Sequence, residues 1–503
     1  MSLSQRTIKA GSWQFVAVFV RAFLQLLVLA ILARYVLPKE FGYIAMANMV
    51  MVFVDMLADA GIGPAIIQKK ELADVHINAG FILSVTLGIL FVTILWISAP
   101  LIASCFNADN LASIIRWIGL SALIAKLGIV SRSRIEREMR FDILMWVDTG
   151  SYLFGYALVG IVLAILGYGV WAIVAGKLAQ CSLQAACLLM IRPNFAKPVF
   201  SGKAYKELLT FGGGLTLARV FDNIASQGDY FIIGRFLGSS ALGFYDRASS
   251  IMAMPGQYLN LVLDKTLFPA MSQIQNQAKK LEKAYFMSTS IVSTLLIPLT
   301  VLMFLIAPEI IGTLLGPNWS ASILPFRILL LTVICRIFIN ISDTLMRATG
   351  AVYASAVRKV IIAFVIICCS WIGQFWGLNA VAIAVDVAIV IGYALTIQLS
   401  IKIIGCKLSD YLKIYKHGLM IGCILCLIIY PIVMLLRLYT SSQLLVLSTA
   451  MACSGLLMLF IVLLFPKLLG ESVIEFVRNV IQILPVKNQN ICKVVVQKCY
   501  SDA

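Results

Sequence analysis

The apolar residues of this chain gather into about fourteen stretches, each near the ~20 residues a helix needs to cross a bilayer. They run near 12–37, 41–66, 78–103, 110–130, 143–166, 168–191, 207–237, 241–270, 286–307, 321–346, 354–374, 378–401, 418–436 and 443–466. With 61% hydrophobic residues over 503 and a mean hydropathy of +0.97, a soluble globular fold is excluded. The connections are short, so little mass stands outside the membrane. The expected fold is an all-α polytopic membrane protein.

The 40 Lys and Arg residues orient it. With the N-terminus placed in the cytoplasm, the two tails and the even-numbered connections, with their flanks, carry 27 of them, and the odd-numbered connections carry two, Lys39 and Arg437. Cationic loops stay on the cytoplasmic side, so both termini are expected inside. The formal charge of +17 is then topological charge facing an anionic inner leaflet, not a nucleic-acid footprint. The run from Trp13 to Leu37 carries Arg21, Gln14 and Gln25 and lacks a small-residue cleavage site, so it reads as a retained span rather than a signal peptide. Cys423 and Cys426 form a C-x-x-C inside an apolar helix, where small packing residues are the expectation over a metal or redox site.

The chain reads as duplicated. ARYVLPKEFGY (33–43) matches GRFLGSSALGF (234–244) at an offset of 201, setting Arg34 on Arg235, Gly42 on Gly243 and Tyr43 on Phe244, while Gly11 falls on Gly212. Six stretches, a basic connection (192–206), six more and two extra give an N-terminal lobe 1–200, a C-terminal lobe 201–405, two additional spans in 406–466 and a cytoplasmic or interfacial tail 467–503. Parallel repeats of this kind place a substrate site near the midplane at the repeat interface, with access alternating as the lobes rock. SRSRIEREMRFD (131–142) and QIQNQAKKLEKAY (273–285) read as short charged surface helices, and KLLGESVIEFVRNVIQIL after Pro466 as an interfacial one.

Apart from Arg358 and Lys359, counted with the flanks above, eleven cations lie within the apolar stretches. Arg34, Arg116, Lys126, Arg235 and Arg327 fall near stretch ends and are expected to snorkel to the interface. Arg21, Lys177, Arg219, Arg247, Lys265 and Arg336 lie deeper, where a charge costs ~2.5–3.5 kcal/mol on insertion scales. Several head one-faced polar stripes: Gln14, Arg21 and Gln25; Asn48, Asp55 and Asp59; Arg219, Asn223, Ser226 and Tyr230; Arg336, Asn340, Asp343 and Arg347. Such faces must line protein or water rather than lipid. Internal salt bridging is the competing use, but neighbours on a helix point about 100° apart, so Asp246–Arg247 and Asp264–Lys265 are expected to be poor self-pairs. A cavity carrying Arg21, Arg219, Arg247, Lys265 and Arg336 suits an anionic cargo, because Arg forks match phosphate and carboxylate oxygens. Asp55, Asp59, Asp343 and Asp386 are candidates for coupling H⁺ or Na⁺, or for plain counter-ion roles. Trp13, Tyr230 and Tyr258 would stack on sugars or simply pack. No catalytic or metal-ligating set and no resident cofactor are expected, and no G-x-x-x-x-G-K-[ST] phosphate loop occurs.

LGFYDRASSIMAMPGQYLNLVLDKTLFPAMSQIQNQ (242–277) resembles the eighth-helix segment of Wzx-type polysaccharide flippases, through Leu242-Gly243, Tyr245, Arg247-Ala248, Pro255, Phe268-Pro269, Ser272 and Gln275. APEIIGTLLGPNWSASILPFRIL (307–329), through Gly316-Pro317 and Trp319, and the opening TIKAGSWQF and ARYVLPKEFGYIAMA segments fit the same family. The resemblance implies the multidrug/oligosaccharidyl-lipid/polysaccharide exporter superfamily: two pseudo-symmetric six-helix bundles in a V with a cationic cavity, and two C-terminal helices bordering a lipid-tail groove. It implies a cargo, an undecaprenyl-diphosphate-linked oligosaccharide, passed across the bacterial inner membrane for O-antigen, capsule or exopolysaccharide assembly, with membrane lipids and the polysaccharide polymerase machinery as partners. Rival readings are a multidrug exporter, a peptidoglycan-precursor flippase and, more distantly, a polyprenyl-linked glycosyltransferase or polymerase. Short outer connections and only two His, His76 and His417, speak against an enzyme.

Overall fold

The apolar stretches become helices because only a helix satisfies its own backbone in hydrocarbon. The computed structural model describes residues 20–59, 61–69, 72–194, 223, 227–475 and 478. Among these residues there is no strand. The helices are α1 (20–35), α2 (Pro38–Asp59), α3 (Ile62–Gln68), α4 (Asp74–Cys105), α5 (Leu111–Arg137), α6 (Phe141–Ile165), α7 (Val170–Ile191), α8 (227–237), α9 (Gly238–Gln273), α10 (Ala278–Leu305), α11 (Ala307–Leu314), α12 (Ile323–Leu330), α13 (Val333–Ala348), α14 (Val352–Gly373), α15 (Leu378–Ile404), α16 (Leu408–Lys413), α17 (Tyr415–Tyr439) and α18 (Gln443–Leu464).

Ten of the described spans are long and apolar enough to cross a membrane, and an eleventh if the bent pair Pro317–Leu330 and Val333–Ala348 (48°) is one span. The expected count of fourteen is therefore not reached among the described residues. The first and seventh stretches extend beyond those residues, and the eighth forms α9, which is long enough at 36 residues but does not pass as an apolar span.

The chain divides into two compact units. The first comprises Met1–Arg247, Leu314–Trp319 and Ile366–Val381, the second Ala248–Thr313, Ser320–Val365 and Ala382–Ala503. In the first unit α5 packs against α4, α2 and α7. α6 holds a π-helical section, Tyr152–Val159, inside an otherwise α-helical span, the kind of wide turn common at working sites. Its Gly155 faces the Gln180 backbone, and a Cβ there would come within 2.5 Å of the Gln180 Cα. In the second unit α10 and α17 lie together, with Gly418 against the Ser293 carbonyl. Tyr285, on α10, shares a 2.7 Å hydrogen bond with Ser342 and touches Tyr411, whose hydroxyl accepts a 3.2 Å bond from Tyr393. This hydroxyl network ties the start of the C-terminal helix pair to α10, α13 and α15.

The two charged connections differ from expectation. Residues 131–137 continue α5, and the break falls at 138–140, where Met139 takes a positive φ of 57°. Residues 278–285 likewise open α10 rather than a separate surface helix. Hydropathy ended these stretches at the first charges, although the backbone helix continues past them into polar surroundings.

Candidate functional site

The starts of α2 and α9 cross through two glycines. A Cβ on Gly42 would fall on the Ser239 carbonyl oxygen, and one on Gly243 would fall on that of Pro38, so the starts of α2 and α9 meet reciprocally through bare backbone. Glu40 holds the α2 end in place: its carboxylate accepts the Leu37 N–H (2.9 Å) and the Val170 N–H that opens α7 (3.1 Å). The fully buried Trp319 closes the crossing. Its indole N–H donates to the Ala33 carbonyl at 2.9 Å, and its ring meets Phe41 and Phe244 edge-on at 5.3 and 5.9 Å.

Arg247 lies one turn beyond Gly243, on the same face of α9. Its guanidinium sits over the Phe41 ring at 4.9 Å, and Tyr156 of the π-helical section and Tyr230 stand within its electrostatic reach. Tyr230 meets Tyr245 edge-on at 5.6 Å, and the Tyr245 hydroxyl donates to Asp229 at 2.6 Å. The expectation that Asp246 and Arg247 are poor self-pairs is overturned. The Arg247 Nε (2.9 Å) and Nη2 both donate to Asp246 Oδ2. The helix does point the two Cβ atoms apart, but the long Arg side chain, laid along Phe41, folds back to its neighbour. A cation with aromatic faces around it can hold a phosphate while rings stack on sugars.

Lys126 is also corrected. Expected to snorkel, it is 3% exposed, because α5 runs on to Arg137 and leaves Lys126 mid-helix. Its ammonium donates to Asp59, lies 3.8 Å from Asp55 and reaches the Asp55 carbonyl at 3.4 Å. One buried lysine thus gathers both candidate coupling carboxylates, whose side chains remain 51% and 40% exposed. Arg116 stacks on Trp96 and its Nε donates to the Trp96 carbonyl at 3.2 Å. Arg327 does the same with Phe304 at 3.3 Å.

In the second unit Arg336 faces Asp386 at 3.9 Å, outside hydrogen-bond range. Thr332 donates to Asp386 Oδ1 at 2.5 Å, while Asp386 Oδ2 and Arg336 Nε are buried without a partner among the described residues. Asp343 stands with Lys359 at 3.2 Å and Arg347 at 3.8 Å, and accepts from Ser355 at 2.6 Å, so it is already well occupied. Arg21, on α1, and Lys177, on α7, are exposed on the chain surface. Arg219 and Trp13 lie outside the described residues, as do the side chains of Lys265 and Tyr258, although those two positions fall within α9. No cluster of three metal-ligating side chains occurs among the described residues.

An apolar groove of about 350 Å³ lies in the second unit, between α10, the end of α12 and α17, with Ile297, Val301, Leu330, Leu419 and Cys426 on its walls. Sequence reasoning placed Lys126 at a stretch end rather than beside Asp55 and Asp59, and it rejected Asp246, the carboxylate that Arg247 in fact holds.

A family model described as polysaccharide biosynthesis protein matches residues 31–324. The chain is similar to an uncharacterized membrane protein in the cps region of Klebsiella pneumoniae, 26% identical over 82% of this chain and 86% of that protein. It is similar to the lipopolysaccharide biosynthesis protein WzxC of Escherichia coli K12, 23% identical over 82% of this chain and 84% of that one. In fold it is similar to the lipid II flippase MurJ in an inward closed conformation, with a TM-score of 0.71 and 15% identity over 93% of this chain and 99% of the other.

Proposed function

Because the chain belongs to the polysaccharide biosynthesis protein family, as a Wzx-type member of the multidrug/oligosaccharidyl-lipid/polysaccharide exporter superfamily, we propose that it flips undecaprenyl-diphosphate-linked oligosaccharide repeat units across the bacterial inner membrane. The repeat units feed surface polysaccharide, and the chain moves its cargo by alternating access through a cationic central cavity, without catalysing a reaction. The observation that carries this reading is the family match over residues 31–324.

The geometry supports it in two ways. Arg247, desolvated beside Phe41, is a receptor for a diphosphate oxygen. The apolar groove beside α17 suits a polyprenyl tail, which needs aliphatic walls and no polar partner. Arg21, Arg219, Lys265 and Arg336 complete the proposed cationic set. Among the coupling candidates, Asp386 is favoured by its unpartnered buried oxygen, and Asp55 and Asp59 by their exposure beside Lys126, while Asp343 is held by two cations. The lobes 1–200 and 201–405, the added spans in 406–466, the tail 467–503, cytoplasmic termini and contact with the polymerase machinery belong to the same proposal.

The test is a deletion strain, in which surface polysaccharide and lipid-linked intermediates are assayed together. Lost polymer with diphosphate-linked repeat units trapped on the inner leaflet is expected. Normal polymer with altered drug sensitivity would instead mean a multidrug exporter, and lethality with intact repeat-unit export a peptidoglycan-precursor flippase.

A further inference from the structure

Among the described residues three arginines each turn two N–H donors to one carboxylate, and one of these forks is incomplete. Arg132 meets Asp148 oxygen for oxygen, Nη1 to Oδ1 at 2.8 Å and Nη2 to Oδ2 at 2.9 Å. Arg437 meets Glu309 in the same way, Nε to Oε1 at 2.8 Å and Nη2 to Oε2 at 2.9 Å. Those are the parallel two-bond pairs that lock structure. At the candidate site both Arg247 donors crowd onto one oxygen, Asp246 Oδ2. Asp246 Oδ1 and Arg247 Nη1 make no hydrogen bond among the described residues. Yet the two side chains are only 12% and 18% exposed. Adjacency and the short Asp side chain together impose this: with a single methylene, the carboxylate of the preceding residue does not turn both its oxygens to the fork.

We propose that Asp246 is a placeholder for the cargo diphosphate. It neutralises Arg247 between cargoes and then competes with the bound diphosphate, so that release follows binding. The inference rests on the diphosphate reading of this site. A buried guanidinium with no counter-ion is strongly disfavoured, which is why a partner is needed in the empty state. A partner with a complete fork would keep the arginine from its cargo. A diphosphate offers several oxygens on separate phosphorus atoms and can fill both edges of the fork, which Asp246 cannot. Once displaced, the Asp246 carboxylate lies beside the bound anion as a like charge and weakens its hold. Asp246 is thus a positioning residue that trades affinity for turnover.

The experiment compares the full-length wild-type protein, Asp246→Asn and Asp246→Asn/Arg247→Gln, each purified in detergent, in titrations with farnesyl diphosphate. The same variants are assayed for polysaccharide export in the deletion strain. Asp246→Asn should bind the probe more tightly, on the order of tenfold, while exporting less and trapping lipid-linked repeat units. The double variant, which has no unpaired buried charge and so controls for folding, should lose the gain. Equal affinity of wild type and Asp246→Asn, with the probe binding both, would overturn the placeholder role alone. No binding by either, with the double variant and both others intact by size exclusion, would overturn the diphosphate reading of the site, and this proposal with it. If Asp246→Asn fails to fold, Asp246→Glu replaces it: a longer side chain completes the fork, so weaker probe binding and less export are expected, and unchanged binding overturns the proposal.

Discussion

Gly42 and Gly243 carry the strictest steric demand in the first unit, since each would drive a Cβ into the other helix's backbone carbonyl. Neither obstacle is a side-chain tip that can swing away, so Gly42→Ala or Gly243→Ala should cost ~3 kcal/mol or more. The check is thermal unfolding of the purified variants; a midpoint within a degree of wild type would mean that the crossing opens without cost. Trp319 sits in the same crossing, which makes sense of its place in the Gly316-Pro317 motif: its ring fills the corner and its N–H satisfies Ala33. The sequence offset of 201 had aligned the two glycines as equivalents. It could not show that they touch, because equivalence under a repeat says nothing about contact. Lys126 was misread for a related reason. Hydropathy fades at Ser131, so a mid-helix lysine looked like an end, and only the backbone reveals that Asp55 and Asp59 wait beneath it.

At the scale of helices, a second offset emerges that identity alone conceals. Arg132 pairs with Glu136 and Asp148 at the junction of α5 and α6, and Asp343 pairs with Arg347 and Lys359 at the junction of α13 and α14. The positions correspond one to one at an offset of 211, and every sign is reversed. Arg116 on Trp96 and Arg327 on Phe304 recur at nearly the same spacing with signs kept. A comparison that scores identity treats acid against base as a mismatch, so this part of the duplication was illegible, and 131–142 was read as a surface helix instead. The reversal also says what the triad requires: complementarity between helices, not a given sign on either. Asp148→Lys should therefore lower stability by ~1 kcal/mol or somewhat more, as expected for a half-exposed two-bond pair. Arg132→Asp/Glu136→Arg/Asp148→Lys, which copies the signs of the second triad, should recover most of that loss. Thermal unfolding of the three proteins decides it, and a triple variant as unstable as the single one would show that Asp148 acts through Gln184, which donates to it at 2.7 Å, rather than through charge.

For the molecule as a whole, the charge distribution predicts an orientation, and the two cations that break its pattern have separate accounts. Lys39 lies 5.9 Å from the centre of the Tyr43 ring. Arg437, at the end of α17, is neutralised by the buried Glu309 of α11 through a complete fork, and also donates to the Leu305 carbonyl at 3.0 Å. Both partners come from connections that the charge pattern assigns to the same, outer side. Gln443, which opens α18, presses on Gly312 of α11 as well, so α11 anchors the tip of the hairpin formed by α17 and α18. If Arg437 is a structural charge rather than a topological one, Glu309→Gln should leave the orientation unchanged. A fluorescent protein fused after residue 503 should still glow, and an alkaline phosphatase fused there should stay silent, with the C-terminus in the cytoplasm. Stability should nevertheless fall by ~1–3 kcal/mol, the consequence of stripping a two-bond partner from a cation that is itself 28% exposed. Glu309→Gln/Arg437→Leu should regain much of it, because the second change removes the charge that the first left unpaired. Phosphatase activity from the fusion to Glu309→Gln would mean that neutralisation by Glu309 is what allows Arg437 to cross, and that this one pair, not the 27 cations of the tails and even-numbered connections, sets the direction of the last two spans.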